Sequence, residues 1–287
     1  MTNSFTSPLG QTQITFIGGG NMGRALIGGL LASGLQAKQI MVVEPFTATA
    51  EKLKADFSVS VLSSVDQLQL DAACNHVVVM AIKPQDFKQV AQSLAPHLKA
   101  IAPDRLLVIS IAAGIRLNSM ANWLSHSRCV RAMPNTPALI GMGITGLCAD
   151  GSVDESARTK AEALCNAVGQ SVWVEDESLI DTVTALSGSG PAYVFAFLEA
   201  LQAGGEKLGL DAATARALAY ATLQGAAQLA VNSAESAGSL REKVTSKGGT
   251  TAAALAVLQA GDWQGILEAA LAAAAKRGKA MGDELAQ

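Results

Sequence analysis

Ile14-Thr15-Phe16-Ile17-Gly18-Gly19-Gly20-Asn21-Met22-Gly23 decides how the first half of this chain folds. Ile14–Ile17 reads as a short buried strand. The residues after the glycines open a helix in which Met22, Ala25, Leu26, Gly29 and Leu30 share one face. Gly18, Gly20 and Gly23 stand in the G-x-G-x-x-G spacing at the junction. The first permits a tight turn, the second lets a pyrophosphate approach the backbone, and the third lets helix pack on strand. The helix N-terminus adds unpaired N–H donors and partial positive charge. Such a pattern on its own is also found in purely structural turns. Its place directly after a strand and before a helix makes it a dinucleotide corner, with Gly18, Gly19, Gly20, Asn21, Met22 and Gly23 against the cofactor.

Glu44 closes the next strand, 21 residues past Gly23, where a carboxylate accepts hydrogen bonds from an adenosine ribose. It favours NADH, since a 2′-phosphate there is repelled; the alternative is a solvated carboxylate at a strand end. Lys52 and Lys54 lie farther on and face solvent or a phosphate.

Outward from this corner, Ile40–Val43, His76–Ile82, Leu106–Ile111 and Ser171–Val174 are further short runs rich in β-branched residues. Helical segments separate them, and Pro84 is suited to a first helical turn. Strand–helix alternation predicts an α/β fold, a Rossmann-type, mainly parallel sheet covered on both faces, over residues 13–175. Residues 1–12, with Pro8 and Gly10, read as a flexible leader.

From 176 to 287 the strand signals stop. More than a quarter of Gly190–Gln287 is alanine, and the segment reads as an all-helical domain. Val194, Phe197, Leu198, Leu201 and Leu208 mark one face of a helix ending near Gly209. Asp211 is placed to cap the next helix, and Ile266, Leu267 and Leu271 form a later apolar face. Small side chains bury little area each, so a second copy of the chain is expected to complete this core.

The composition narrows the function classes. The chain has 287 residues, 49% of them hydrophobic and 16% charged, which suits about two folded domains and argues against disorder. A net charge of -3 without a basic block argues against nucleic-acid binding through a basic surface. No apolar run resembles a signal peptide or a membrane span. Cys74, Cys129, Cys148 and Cys165 lie 55, 19 and 17 residues apart, a spacing that indicates neither zinc nor a disulfide framework. A soluble, cytoplasmic protein without a metal is expected.

Four more segments add to the first: Ala81-Ile82-Lys83-Pro84, Ile111-Ala112-Ala113-Gly114, Arg131-Ala132-Met133-Pro134-Asn135-Thr136-Pro137 and Ser187-Gly188-Ser189-Gly190-Pro191-Ala192-Tyr193. With Ser246-Lys247-Gly248-Gly249-Thr250-Thr251 they resemble, in order and spacing and over nearly the whole chain, the pyrroline-5-carboxylate reductases. The resemblance implies reduction of L-1-pyrroline-5-carboxylate to L-proline by NADPH or NADH, the last step of proline synthesis. It also implies a helical domain that dimerises, with dimers often assembled further into a ring, a decamer. Ala81, Ile82, Lys83 and Pro84, and Ala112, Ala113 and Gly114, would line the cofactor groove, with Asn135 and Thr136 near it. The alternative for Asn135 and Thr136 is turn chemistry.

By the same resemblance the amides of Gly249, Thr250 and Thr251 hold the substrate carboxylate, and the Thr251 hydroxyl lies near the ring nitrogen. Ser246 and Glu235 match a hydroxyl and a carboxylate near the substrate. Backbone donors at a glycine-rich helix start suit a small anion; the plainer alternative is that Thr250 or Thr251 caps the helix. Cofactor corner and anion site are expected to share one crevice. Ser187 and Ser189 do not form a G-x-S-x-G elbow, and His76, His97 and His126 read as structural or surface residues.

Two departures stand out: Lys247 replaces a usual proline, and Arg241-Glu242-Lys243 replaces a Lys-Asp-Asn-like run. A hydroxy-acid dehydrogenase of similar two-domain plan is the alternative. Those enzymes usually carry a catalytic lysine in the first helix of the helical domain, where this chain offers only Lys207.

Overall fold

A computed structural model describes residues 7–286. The elements are β1 (Thr12–Ile17), α1 (Asn21–Ala32), β2 (Ile40–Val43), α2 (Thr47–Phe57), β3 (Ser60–Leu62), β4 (Asn75–Met80), α3 (Pro84–Leu98), β5 (Leu106–Ser110) and α4 (Leu117–Leu124). They continue with β6 (Cys129–Met133), β7 (Gly143–Ala149), α5 (Glu155–Asn166), β8 (Gly169–Trp173) and α6 (Leu179–Val183). The chain ends in α7 (Gly190–Lys207), α8 (Ala212–Val231), α9 (Ala237–Lys243), α10 (Thr250–Ala260) and α11 (Trp263–Leu285). Among the described residues, those up to Ser189 and those from Ala274 onward form one compact unit, and Gly190–Ala273 form a second. The division falls later than residue 175, and the end of α11 belongs with the sheet.

The eight strands run in the order β3-β2-β1-β4-β5-β6-β7-β8, parallel except where β6 meets β7. Ile14 pairs with Ile40 on one side and with Val77 on the other, so chain direction across the sheet reverses at β1 and β4. That is the switch point where open α/β sheets bind ligands beyond the strands' carboxyl ends. Alternation along each strand feeds two cores. Ile14, Phe16, Val77 and Val79 pack with Leu26, Leu30, Leu53 and Leu164 on one face. Ile17, Val78, Met80 and Val108 pack with Phe87, Leu94 and Met120 on the other. Strands buried on both faces read as the continuous apolar runs seen in the sequence.

Three strands lie outside those runs. β3 has three residues at the sheet edge; β6 carries the buried Arg131; β7 carries two glycines. A Cβ at Gly146 would stand 2.5 Å from Val183 Cγ1, so α6 packs there only because the position is bare.

Residues 7–12 depart from the expected leader. Leu9 is buried in the first core, the Gly10 N–H donates to the Ser7 carbonyl at 2.8 Å, and Thr12 already belongs to β1. One buried leucine and a turn fasten this stretch to the sheet. Residues 1–6 of that expectation lie outside the described residues.

The second unit is built on α7 and α8, the latter capped by Asp211, whose carboxylate accepts the Thr214 N–H at 3.0 Å. Of the predicted α7 face only Leu198 is buried; Phe197 is 51% and Leu208 89% exposed. Ala215 and Ala219 are the buried residues of α8. Among the described residues, no helix is long and apolar enough to cross a membrane.

Candidate active site

The glycine corner is shaped by what its glycines touch. Gly18 sits at φ +95°, and a Cβ there would stand 2.6 Å from the Ala81 carbonyl oxygen. A Cβ on Gly23 would stand 2.9 Å from the Gly18 carbonyl oxygen. Gly20 differs: it is exposed, and a Cβ there would meet nothing within 4 Å. Gly20 is also the N-cap of α1, and it offers no capping side chain. The corner is therefore tight toward the protein and open toward solvent, with the first-turn N–H groups of α1 facing outward, a cradle that fits a pyrophosphate.

The neighbouring strand ends complete this face. The Gly18 N–H donates to the Val43 carbonyl at 2.9 Å, the Ala81 N–H to Ile17 at 2.8 Å, and the Ile111 N–H to Met80 at 3.1 Å. These bonds draw Gly18–Gly23, Glu44, Ala81–Pro84 and Ala112–Gly114 to the carboxyl edge of β1, β2, β4 and β5. Pro84 is the first residue of α3, as predicted, and Lys83 is exposed. Glu44 is 5% exposed; its two oxygens accept the Gly19 and Phe46 N–H groups, each at 2.9 Å. It is thus a buried brace of the glycine corner rather than a solvated strand end, with lone pairs left for a ribose.

Asn135 is also committed. Its Nδ2 donates to the Ser187 carbonyl at 3.2 Å and its Oδ1 accepts the Ile144 N–H at 3.0 Å. The side chain locks the loop after β6 to β7 and to the turn that carries Ser187 and Gly188. Each histidine bonds a backbone carbonyl: His76 that of Asp71, His97 that of Leu68, His126 that of Leu106. Burial, the larger influence, also pulls the His126 imidazole below its usual range.

In the second unit, α10 begins at Thr250 with Gly249 as N-cap, and no side chain caps it. Neither threonine takes the capping role that was the plainer alternative. The Gly249 N–H donates to the Ser246 carbonyl at 3.0 Å, closing a turn in which a Cβ on Gly249 would stand 2.5 Å from Ser246 Oγ. The first-turn N–H groups of α10 are thus left without a side-chain cap, with Ser246 beside them. The Glu235 carboxylate pairs with Lys243 Nζ at 2.7 Å on the surface. Lys243 belongs to the run that departs from the resembled pattern, and Lys247 is exposed.

Sequence reasoning did not find the charge cluster behind the cofactor edge. Arg131, 2% exposed, donates to Glu177 at 2.9 Å and faces Asp181 at 3.6 Å, and Asp181 faces Arg116 at 3.8 Å. Its members come from β6, the segment before α6, α6 itself and the start of α4, a separation that leaves no local pattern in the sequence.

A Rossmann-type sheet with an open glycine corner at its switch point, followed by a helical unit, defines an NAD(P)-dependent oxidoreductase. Residues 13–114 match the family model described as NADP oxidoreductase coenzyme F420-dependent, and residues 177–281 match the one described as pyrroline-5-carboxylate reductase dimerisation. The chain is 45% identical over 276 residues to the pyrroline-5-carboxylate reductase of Pseudomonas aeruginosa, covering 96% of this chain and 98% of that one. A solved pyrroline-5-carboxylate reductase from Coxiella burnetii is 41% identical, with a TM-score of 0.88 over 94% of this chain and 98% of that one. The Plasmodium falciparum enzyme, solved with NADP bound, is 28% identical with a TM-score of 0.79, over 94% of this chain and 98% of that one. The chain belongs to the pyrroline-5-carboxylate reductase family.

Proposed function

We propose that this chain reduces 1-pyrroline-5-carboxylate to proline with NADPH or NADH, the closing step of proline synthesis. The observation that carries this reading is the end-to-end alignment with relatives of that name, 45% identical in the Pseudomonas aeruginosa case. The open glycine corner and the uncapped tip of α10 each supply the binding chemistry the reaction needs.

Gly18–Gly23, Glu44, Ala81–Pro84 and Ala112–Gly114 would hold the dinucleotide, with Asn135 keeping the adjoining loop in shape. When bound, NAD(P)H supplies the hydride. The unpaired amides of Thr250 and Thr251, with that of Gly249 shared with the Ser246 carbonyl, hold the substrate carboxylate, and the Thr251 hydroxyl donates to or accepts from the ring nitrogen. Ser246 and Glu235 lie in the same unit and complete the polar surroundings. A protonated imine is already electrophilic, so the protein's task is chiefly to place it, which supplies much of the rate in such reactions. That the three histidines are engaged with backbone carbonyls agrees with this division of labour.

The chain works as a homodimer through its helical unit, and dimers assemble further into a ring. Val231, Val257 and Ile266, each at least 65% exposed in the single chain, support a partner surface. The setting is the cytoplasm. The hydroxy-acid dehydrogenase alternative loses its nucleus, because Lys207 is the last residue of α7, in its final turn. The test is the absorbance of NADPH and of NADH with pyrroline-5-carboxylate and with a set of 2- and 3-hydroxy acids (with the oxidised cofactors). Oxidation of either cofactor by pyrroline-5-carboxylate alone is expected; turnover of a hydroxy acid alone would reverse the assignment.

A further inference from the structure

The loop after β5 is held by more than the sheet. Gly114 lies at φ +78°, and a Cβ on it would stand 3.0 Å from Leu285 Cδ1 and 3.5 Å from the Gly282 nitrogen. Conversely, a Cβ on the buried Gly282 would stand 3.2 Å from the Gly114 carbonyl oxygen and 3.0 Å from Arg116 Nη2. Two bare positions therefore let the loop backbone and the end of α11 approach each other closely. Leu285 packs on the core that contains Ala112 and Ile115.

Arg116 fastens this contact. Its Nη2 donates to the Lys279 carbonyl at 3.4 Å and to Asp283 Oδ1 at 3.2 Å, and lies 3.8 Å from Asp181 Oδ2. Asp181 faces Arg131, and the Arg131 partner Glu177 also accepts the Leu117 N–H at 2.7 Å. The charges form a continuous path from β6 through the start of α4 to the last turns of α11. An isolated exposed pair would hold little. Here the Arg131 side chain is 3% exposed and that of Asp181 11%, so the inner end of the path is fixed. Arg116 and Gly282–Leu285 lie outside both segments matched by family models.

We propose that the last turns of α11 set the shape of the Ala112–Gly114 loop for the nicotinamide cofactor, with Gly282 and Arg116 as positioning residues. The inference rests on the reading of that loop as part of the cofactor edge. Placement errors of an ångström at such a loop carry large rate penalties. Because that loop is read as part of the cofactor edge, the role is expected to show in the cofactor KM, and in kcat where misplacement reaches the reacting atoms, rather than in the pyrroline KM.

Full-length Gly282→Val, Arg116→Met, Arg116→Lys and Ala113→Asp are compared with the unaltered chain for KM of NADPH, KM of pyrroline-5-carboxylate, kcat and Tm. Gly282→Val and Arg116→Met are expected to raise the cofactor KM by about tenfold with the pyrroline KM within about twofold. Arg116→Lys, which keeps a donor for the Lys279 carbonyl and Asp283, recovers most of the loss. Ala113→Asp, which puts a charge on the loop itself, raises the cofactor KM directly. If Ala113→Asp is damaging while the Gly282 and Arg116 variants leave the cofactor KM unchanged, the positioning role is overturned and the loop assignment stands. If Ala113→Asp has no effect on the cofactor KM, both fall. A loss of kcat in step with folded fraction, with both KM values unchanged, also overturns it. Arg116→Met carries the test should Gly282→Val fail to fold.

Discussion

Glu44 Oε2 accepts the backbone N–H of Gly19 at 2.9 Å, tying the end of β2 to the middle of the glycine corner. Its other oxygen accepts the Phe46 N–H, so one buried carboxylate fixes both the turn and the first residues beyond β2. Removing it leaves two amides short of a partner, each costing about 1–3 kcal/mol where water does not reach it. Glu44→Ala is expected to raise the NADH KM by about tenfold while the pyrroline KM changes little. The NADPH KM rises less, because a charge that repels a 2′-phosphate is gone. Steady-state kinetics with both cofactors check this, and an unchanged NADH/NADPH ratio would contradict the placement at the ribose.

The contrast between Gly18 and Gly20 separates folding from binding. Gly18→Ala places a side chain at φ +95° and against the Ala81 carbonyl, so lower Tm and poor yield are expected. In Gly20→Val the added Cβ would have nothing within 4 Å beyond its own chain neighbours. Its Tm should stay within about 2 °C of the unaltered chain, with NADPH binding weakened by about a hundredfold, as fluorescence titration would show. Equal damage to Tm from both variants would contradict an open Gly20.

Thr251 supplies no cap to α10, so truncating its hydroxyl should not unfold the helix tip. Thr251→Ala is expected to lower kcat by about tenfold to a hundredfold, with NADPH binding altered by less than about twofold. Equal losses in turnover and in cofactor binding would count against Thr251 at the substrate.

Val257, 73% exposed on α10, belongs to the apolar surface left open on the single chain. Val257→Glu would place a charge in the expected subunit contact. Light scattering should then report a fall from the dimer or higher assembly to a monomer, with activity lost in parallel. Retention of the full assembled mass would move the contact elsewhere.

The Asp211 carboxylate is held below its ordinary value of 3.8, first by the Thr214 hydroxyl and then by the Thr214 N–H. A depressed carboxyl contributes stability above its unfolded value and loses it as pH falls through the folded one. Asp211→Ala should therefore lower Tm at pH 7, and the gap between variant and unaltered chain should close as pH drops below 3.8. Thermal melts between pH 7 and pH 2.5 measure it; a gap that widens in acid would be inconsistent with the cap.

Legibility in the sequence followed burial. β1, β2, β4 and β5 announced themselves because strands covered on both sides need unbroken apolar runs, whereas β8, a half-exposed edge strand, was marked only by the apolar end of Ser171–Val174. β6 was hidden by Arg131, whose charge is tolerable only because Glu177 and Asp181 arrive from some fifty residues downstream. β7 was hidden by Gly143 and Gly146, present for the close approach of neighbouring segments rather than for strand preference. The glycine corner and the tip of α10 were readable as local patterns. The double duty of Glu44, the bracing by Asn135 and the fastening of Gly114 to α11 were not, since each joins residues that only the tertiary fold makes neighbours.

The helical unit carries one more consequence. Leu198, Ala215 and Ala219 are too small a set to hold five helical segments together against chain entropy. Folding and association of this unit are then a single equilibrium governed by mass action, so the melting temperature should climb with protein concentration. Dilution alone is then expected to inactivate the enzyme, and a freshly made chain to finish the second half of the molecule only on meeting a copy of itself.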